Sequence, residues 1–166
     1  MITPKEKVME KNEKNSRRKA IKTVLATLAV GLGVTKVNAA EKRNQPLKKV
    51  AANITKSDEV PLFSGHTIYG NMVFIAGKGY HQEGDITVHT DHVLNSLEEE
   101  LIKAGSSMDK VLKVNVYLHD LNDYKAMNEV YKGRFGDNPP VRTTVAVFGG
   151  VPGNSLVEID CIAYKD

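Results

Sequence analysis
Residues 110–118 read KVLKVNVYL. From Leu112 onward the stretch alternates: Leu112, Val114, Val116 and Leu118 fall on one side, Lys113, Asn115 and Tyr117 on the other. A period of two is that of a strand with one face in a core. The period then changes. Over residues 122–135, Tyr124, Met127, Val130 and Tyr131 recur at helical spacing, with Asn122 as the expected cap and Gly136 as the stop. Two further strands follow, Val141–Phe148 and Leu156–Tyr164, joined through Gly149-Gly150-Val151-Pro152-Gly153.

Working back from residue 110, Val93, Leu94, Leu97, Leu101 and Ala104 mark a helix over 87–104. Asp85 is its expected N-cap and Gly105 its stop, and Glu98-Glu99-Glu100 reads as its wet side. Ahead of it, MVFIA at 72–76 lies between Gly70 and Gly77 as a buried strand, with Ser64–Tyr69 as its hairpin partner. The order is β-β-α-β-α-β-β, an α+β fold in which two helices cover one face of the sheet. With Val141, Thr143, Val145 and Val147 turned to the helices, the other face carries Arg142, Thr144, Ala146 and Phe148. That face is too apolar to be simply wet, so a subunit interface is expected.

The bulk numbers fit one domain: 166 residues, 41% hydrophobic and 26% charged. The formal net charge of +3 is unevenly placed. Residues 1–39 hold nine Lys/Arg against three Asp/Glu, and the remainder holds 14 basic and 17 acidic groups. A mildly acidic body gives no footing for nucleic acid. Cys161, the one cysteine, lies in an apolar strand and reads as a buried, inert thiol. His89 and His92 share a helix face but lack further ligands at metal spacing, so they read as exposed helix histidines. No metal is expected.

Residues 1–39 have the three-part order of an export signal: a basic segment, the apolar run Val24–Val34, and small residues at Val37-Asn38-Ala39. The apolar run is about half the ~20 residues a spanning helix needs, so no stable membrane span is expected. Ser16-Arg17-Arg18 resembles a twin-arginine signal, with an ordinary secretory signal as the alternative. The chain is thus expected to be exported to the periplasm. Residues 40–60 read as a polar linker, and 61–166 as the folded domain.

Several stretches match one family in register. Val111–Tyr124 (VLKVNVYLHDLNDY) resembles the RidA/YjgF run V-K-x-x-V-[FY]-[LV]-x-D-[LM]-x-D-[FY]. Met127–Tyr131 resembles its V-N-x-x-Y, Pro140-Val141-Arg142 its P-A-R, and Leu156–Ala163 its closing [KV]-[IV]-E-[IV]-[ED]-x-[IV]-A. Phe63-Ser64 and Ala76-Gly77-Lys78 resemble its Y-S and S-G-Q. The likeness covers Pro61 to Lys165. It implies a chorismate mutase-like fold and a homotrimer with sites in clefts between subunits. It also implies hydrolysis of 2-imino acids or enamines to 2-keto acids and ammonia, without metal or organic cofactor.

The residues suit that chemistry. A 2-imino acid presents a carboxylate beside an electrophilic C=N. Arginine supplies the planar paired donors that grip a carboxylate. Hydrolysis then needs a group that aims water and passes protons, which a tuned carboxylate does. The resemblance assigns these roles to Arg142 and Glu158, and puts Asn128, Phe63, Ala76, Lys78 and Thr144 around the substrate. Without it, an arginine and a glutamate in neighbouring strands read as a structural ion pair, and Asp160 is an alternative partner for Arg142 or Lys113. Phe63 stands for the family's tyrosine and Ala76 for its serine, so two hydroxyls are missing. Lys78, in place of glutamine, adds a cation suited to a second acidic group on the ligand. The competing reading is a trimer that binds small carboxylates without turnover. A ribonuclease reading has no support in an acidic body without aromatic platforms beside basic grooves.

Overall fold
A computed structural model of the chain describes residues 46–166. Residues 1–45, where an export signal and the first part of a linker are expected, lie outside the described residues. The elements are β1 (Val50–Ser57), β2 (Val60–Tyr69), β3 (Met72–Lys78), α1 (Ile86–Lys103), β4 (Val111–Leu118), α2 (Tyr124–Tyr131), β5 (Val141–Ala146) and β6 (Val157–Tyr164). They form one six-stranded sheet in the order β1-β2-β3-β6-β4-β5, an α+β architecture. All neighbours are antiparallel except β4 and β5.

The two periods of the sequence map onto this sheet except at Leu112, which is 45% exposed: the ladder shifts between Val111 and Lys113, and Val111 is buried in its stead. Val114 and Val116 of β4 face the helices, as do Val157, Ile159, Cys161 and Ala163 of β6, all buried. Val93, Leu94, Leu97 and Leu101 of α1 and Met127 of α2 complete the core, each at 0% exposure. Asp85 caps α1 as anticipated: its Oδ1 accepts from the Thr87 and Val88 amides at 2.9 and 3.0 Å. Helix α2 is shorter than expected. Asp120, rather than Asn122, caps a 3-10 turn over Leu121–Asp123 that leads into it.

Two expectations need correction. Residues 50–57 are not linker but strand β1. Its side chains are mostly exposed, so no apolar alternation marks it. What makes it a strand is pairing with β2 across a two-residue turn, Asp58-Glu59, both at positive φ, the geometry that suits hairpin twist. The second correction concerns β5. Its parallel register pairs Val114 with Arg142 and Val116 with Thr144. Paired residues point to one side of a sheet, so Arg142, Thr144 and Ala146 face the helices while Val141, Thr143 and Val145 face away. The uncovered face is nonetheless apolar in part: Val141 is 71% and Val145 45% exposed, with Phe74 at 40%. Among the described residues no helix is long and apolar enough to cross a membrane.

Candidate functional site
Arg142 projects from β5 towards α2. Its Nη2 donates to the Tyr124 hydroxyl at 3.3 Å, and its guanidinium carbon lies 4.6 Å from the centre of the Tyr131 ring. Tyr124, Asn128 and Tyr131 stand at i, i+4 and i+7, one face of α2, so Asn128 sits between the two tyrosines that touch Arg142. Thr144, two residues along β5, shares this side. Burial pushes the Tyr131 phenol up to about 12, against the nearby Arg142 charge. The Tyr131 hydroxyl and Thr144 Oγ1 are buried without a hydrogen-bond partner among the described residues. Among the described residues the guanidinium meets aromatic groups and no carboxylate. The alternative pairing of Arg142 with Asp160 is absent among the described residues: Asp160 instead accepts from Asn115 at 2.8 Å and Tyr117 at 3.1 Å on the uncovered face.

Glu158 lies on that opposite face. It pairs across the ladder with Tyr117, which is out of phase with Val114 and therefore with Arg142. Its carboxylate lies directly over Gly77, where a Cβ would fall 2.1 Å from Oε1. The β3–β6 register shifts between Ile75 and Lys78, so Ala76 and Gly77 sit in an irregularity beside β6. That shift, with the missing Cβ at Gly77, makes the seat for the carboxylate. A cavity of about 190 Å³ beside it is walled by Tyr117, Val147, Val151 and Pro152. Within one chain the sheet therefore separates Arg142 from Glu158.

The remaining expected residues divide similarly. Phe63 is 56% exposed in β2, opposite Thr55. Lys78 turns to the helix side, and its ammonium is not free for a ligand: Nζ donates to Glu100 Oε2 at 3.3 Å. Glu100 overturns the reading of 98–100 as the wet side, being only 5% exposed. Its Oε1 also accepts from Asn53 Nδ2 and from His66 Nδ1, both at 2.7 Å. Burial alone would push this carboxyl up, but the His66 and Asn53 hydrogen bonds and the Lys78 charge hold it below its ordinary value. Gly65 makes room, since a Cβ there would lie 2.8 Å from Glu100 Oε1. Asn53 takes φ +50°, a conformation asparagine tolerates better than most residues. The signal for this cluster was in the sequence: Glu100 is three residues from Leu97 and seven from Val93, inside the apolar stripe.

His89 also departs from expectation, being 2% exposed rather than a surface residue. Cys161 is buried as expected, and burial pushes its thiol up to about 12.

Comparison with known proteins agrees with this architecture. Residues 54–165 match the family model described as Endoribonuclease L-PSP. A RutC family protein of Pyrococcus abyssi is 41% identical over 104 residues, covering 58% of this chain and 81% of its own. The crystal structure of a putative endoribonuclease L-PSP from Entamoeba histolytica superposes with a TM-score of 0.61 at 31% identity, covering 72% of this chain and 99% of that one. That of E. coli TdcF with bound serine gives 0.60 at 25% identity, covering 68% and 98%. The chain belongs to the endoribonuclease L-PSP family, the RidA/YjgF group whose motifs residues 111–163 carry.

Proposed function
We propose that this protein hydrolyses small 2-imino acids, or their enamine tautomers, to 2-keto acids and ammonia at sites shared between copies of the chain in a homotrimer. The observation that carries the reading is Arg142: a partly buried guanidinium oriented by two tyrosines with no carboxylate of the described residues against it. Such a group is set to receive a ligand carboxylate in bidentate fashion. The Tyr131 and Thr144 hydroxyls, buried and without a hydrogen-bond partner among the described residues, lie on the same side of the sheet.

Glu158 supplies the chemistry. It takes a proton from water as the oxygen adds to the imine carbon and passes it to nitrogen, then takes the hydroxyl proton of the adduct and passes that to nitrogen as C=O forms, the C–N bond breaks and ammonia leaves. Because Arg142 and Glu158 project from opposite faces of one sheet, a site that uses both takes one from each of two copies. The exposed apolar side chains Val141, Val145 and Phe74 support burial of that face between copies. No step calls for a metal or an organic cofactor.

A specific observation favours a second reading, a trimer that binds small carboxylates without turnover. Phe63 and Ala76 supply no hydroxyl to hold water, and TdcF, similar in fold and 25% identical, carries bound serine. One experiment separates the two. Ammonia release is followed for the full chain, with imino acids generated in situ by an amino-acid oxidase. Acceleration that vanishes in both Arg142→Ala and Glu158→Gln, with ligand binding kept only in the latter, supports the deaminase. Binding without acceleration supports the second reading. The basic, apolar and small-residue order of residues 1–39 supports export to the periplasm, tested by the N-terminal sequence of the protein recovered from that compartment.

A further inference from the structure
The segment 147–156 joins β5 to β6, and its Val147, Val151 and Pro152 wall the cavity at Glu158. Its far end is tied to residues ahead of and within α1. The Tyr80 amide donates to Ser155 Oγ at 3.0 Å, His81 Nδ1 bonds the Gly153 carbonyl at 3.0 Å, and the Leu156 amide donates to His89 Nδ1 at 3.1 Å. The last of these is the most constrained. A backbone N–H only donates, so Nδ1 accepts, and the proton of the neutral ring sits on Nε2. The ring is 2% exposed. Tyr80 meets it edge to face at 5.1 Å, and Tyr80 is itself stacked on His92 at 4.1 Å. The Leu156 carbonyl accepts from the His119 amide at 2.9 Å. Both backbone groups of Leu156 are thus engaged, two residues before Glu158.

We propose that His89 is a positioning residue for Glu158. By accepting the Leu156 amide it fixes the entry to β6, and with it the Val151–Pro152 wall and the seat of the carboxylate over Gly77. Without an acceptor there, a part-buried amide loses its partner, and the segment shifts to regain one from water. The catalytic consequence rests on the role given to Glu158 above; the structural link does not.

The test uses the full chain with His89→Asn, whose side-chain oxygen stands close to the place of Nδ1, and His89→Leu, which keeps bulk and removes the acceptor. The first readout is hydrogen exchange. Leu156 and segment 147–156 stay protected in the wild type and the Asn variant, and exchange about tenfold faster in the Leu variant, with β4 unchanged. The second readout is imine hydrolysis. His89→Leu lowers kcat by about tenfold to a hundredfold, as misplacement of a reacting group does. KM stays within about twofold because the Arg142 that holds the carboxylate comes from another copy of the chain and is not moved by the substitution's local shift, and the Asn variant recovers most of kcat. Wild-type protection of 147–156 in His89→Leu overturns the proposal. So does an Asn variant no better than Leu in exchange or in kcat. Where Leu unfolds the whole chain, His89→Gln, with its acceptor displaced by one methylene, replaces it, and equal protection in Asn and Gln overturns the proposal. Where the wild type hydrolyses no imine, exchange alone decides, so failure of the positioning role and failure of the deaminase reading remain distinguishable.

Discussion
Glu100→Ala removes a buried carboxylate shared by the donors of His66, Asn53 and Lys78, and its cost can be worked from their surroundings. His66 is 4% exposed, so its Nδ1 proton cannot turn to water. An unsatisfied buried donor of this kind costs about 1–3 kcal/mol. Lys78 keeps 19% of its side chain exposed, and its flexible stem can carry the ammonium outward. Its loss is therefore smaller, about 1 kcal/mol. Asn53 is exposed and rehydrates at little cost. The void left by the lost carboxylate adds roughly 1 kcal/mol. The total is about 3–5 kcal/mol, within the range for removing one partner of a buried ion pair. The assay is urea unfolding of the full chain followed by far-UV circular dichroism. Protein concentration is held fixed because assembly couples stability to concentration. Glu98→Ala and Glu99→Ala, on exposed positions of the same helix, serve as controls and should fall within about 0.5 kcal/mol of wild type. A loss below about 1 kcal/mol for Glu100→Ala would refute the reasoning, since it would mean that His66 and Lys78 find water or each other's neighbours without penalty.

Other outcomes follow from the same geometry. Because the Glu100 carboxyl is held below its ordinary value, its contribution to stability is present at neutral pH and disappears as pH falls through the lowered folded value. The stability gap between wild type and Glu100→Gln should therefore narrow on acidification from pH 7 to about pH 3. A constant gap in urea midpoints would contradict this. Gly77→Ala puts a Cβ 2.1 Å from Glu158 Oε1, the mobile end of a side chain. The fold should survive with a loss of about 1 kcal/mol or less, while imine turnover falls and carboxylate binding remains; full turnover would remove Glu158 from its seat in the argument. The Cys161 thiol, pushed up to about 12 by burial, should resist alkylation at neutral pH until the chain unfolds. Labelling at the rate of a free thiol in the folded protein would mean that β6 opens locally.

What the sequence made legible is what burial on one side dictates. β4, β6 and α1 announced themselves because their inward positions are apolar at the period of the element, and Asp85 because a cap needs an oxygen at that place. β1 stayed hidden because it is an exposed edge strand. Its state comes from hydrogen bonds to β2 and from the Asp58-Glu59 turn, and neither leaves an apolar rhythm. Glu100 and His89 were misread through residue type. Both lie on the helical stripe with Val93 and Leu97, and counting in steps of three and four places them inward whatever their charge. A polar residue on such a stripe asks which groups satisfy it, and here the answers are His66, Asn53 and Lys78 in one case and the Leu156 amide in the other.

The direction of Arg142 was harder, and the reason bears on function. Val141, Thr143 and Val145 are at least as apolar as Arg142, Thr144 and Ala146, so alternation alone turns β5 the wrong way round. Register decides instead, through the pairing of Val114 with Arg142 on one side and Cys161 on the other. A strand that offers its more apolar set to the uncovered face makes sense only if that face is itself to be covered. The same twist of β5 that exposes Val141 and Val145 sends Arg142 to the tyrosines of α2, away from Glu158. Apolar exposure and the separation of the two candidate site residues are thus one fact about β5. A partner that buries the first is also the means of overcoming the second, so a variant that blocks assembly, such as Val145→Glu, should remove imine hydrolysis while leaving the monomer folded.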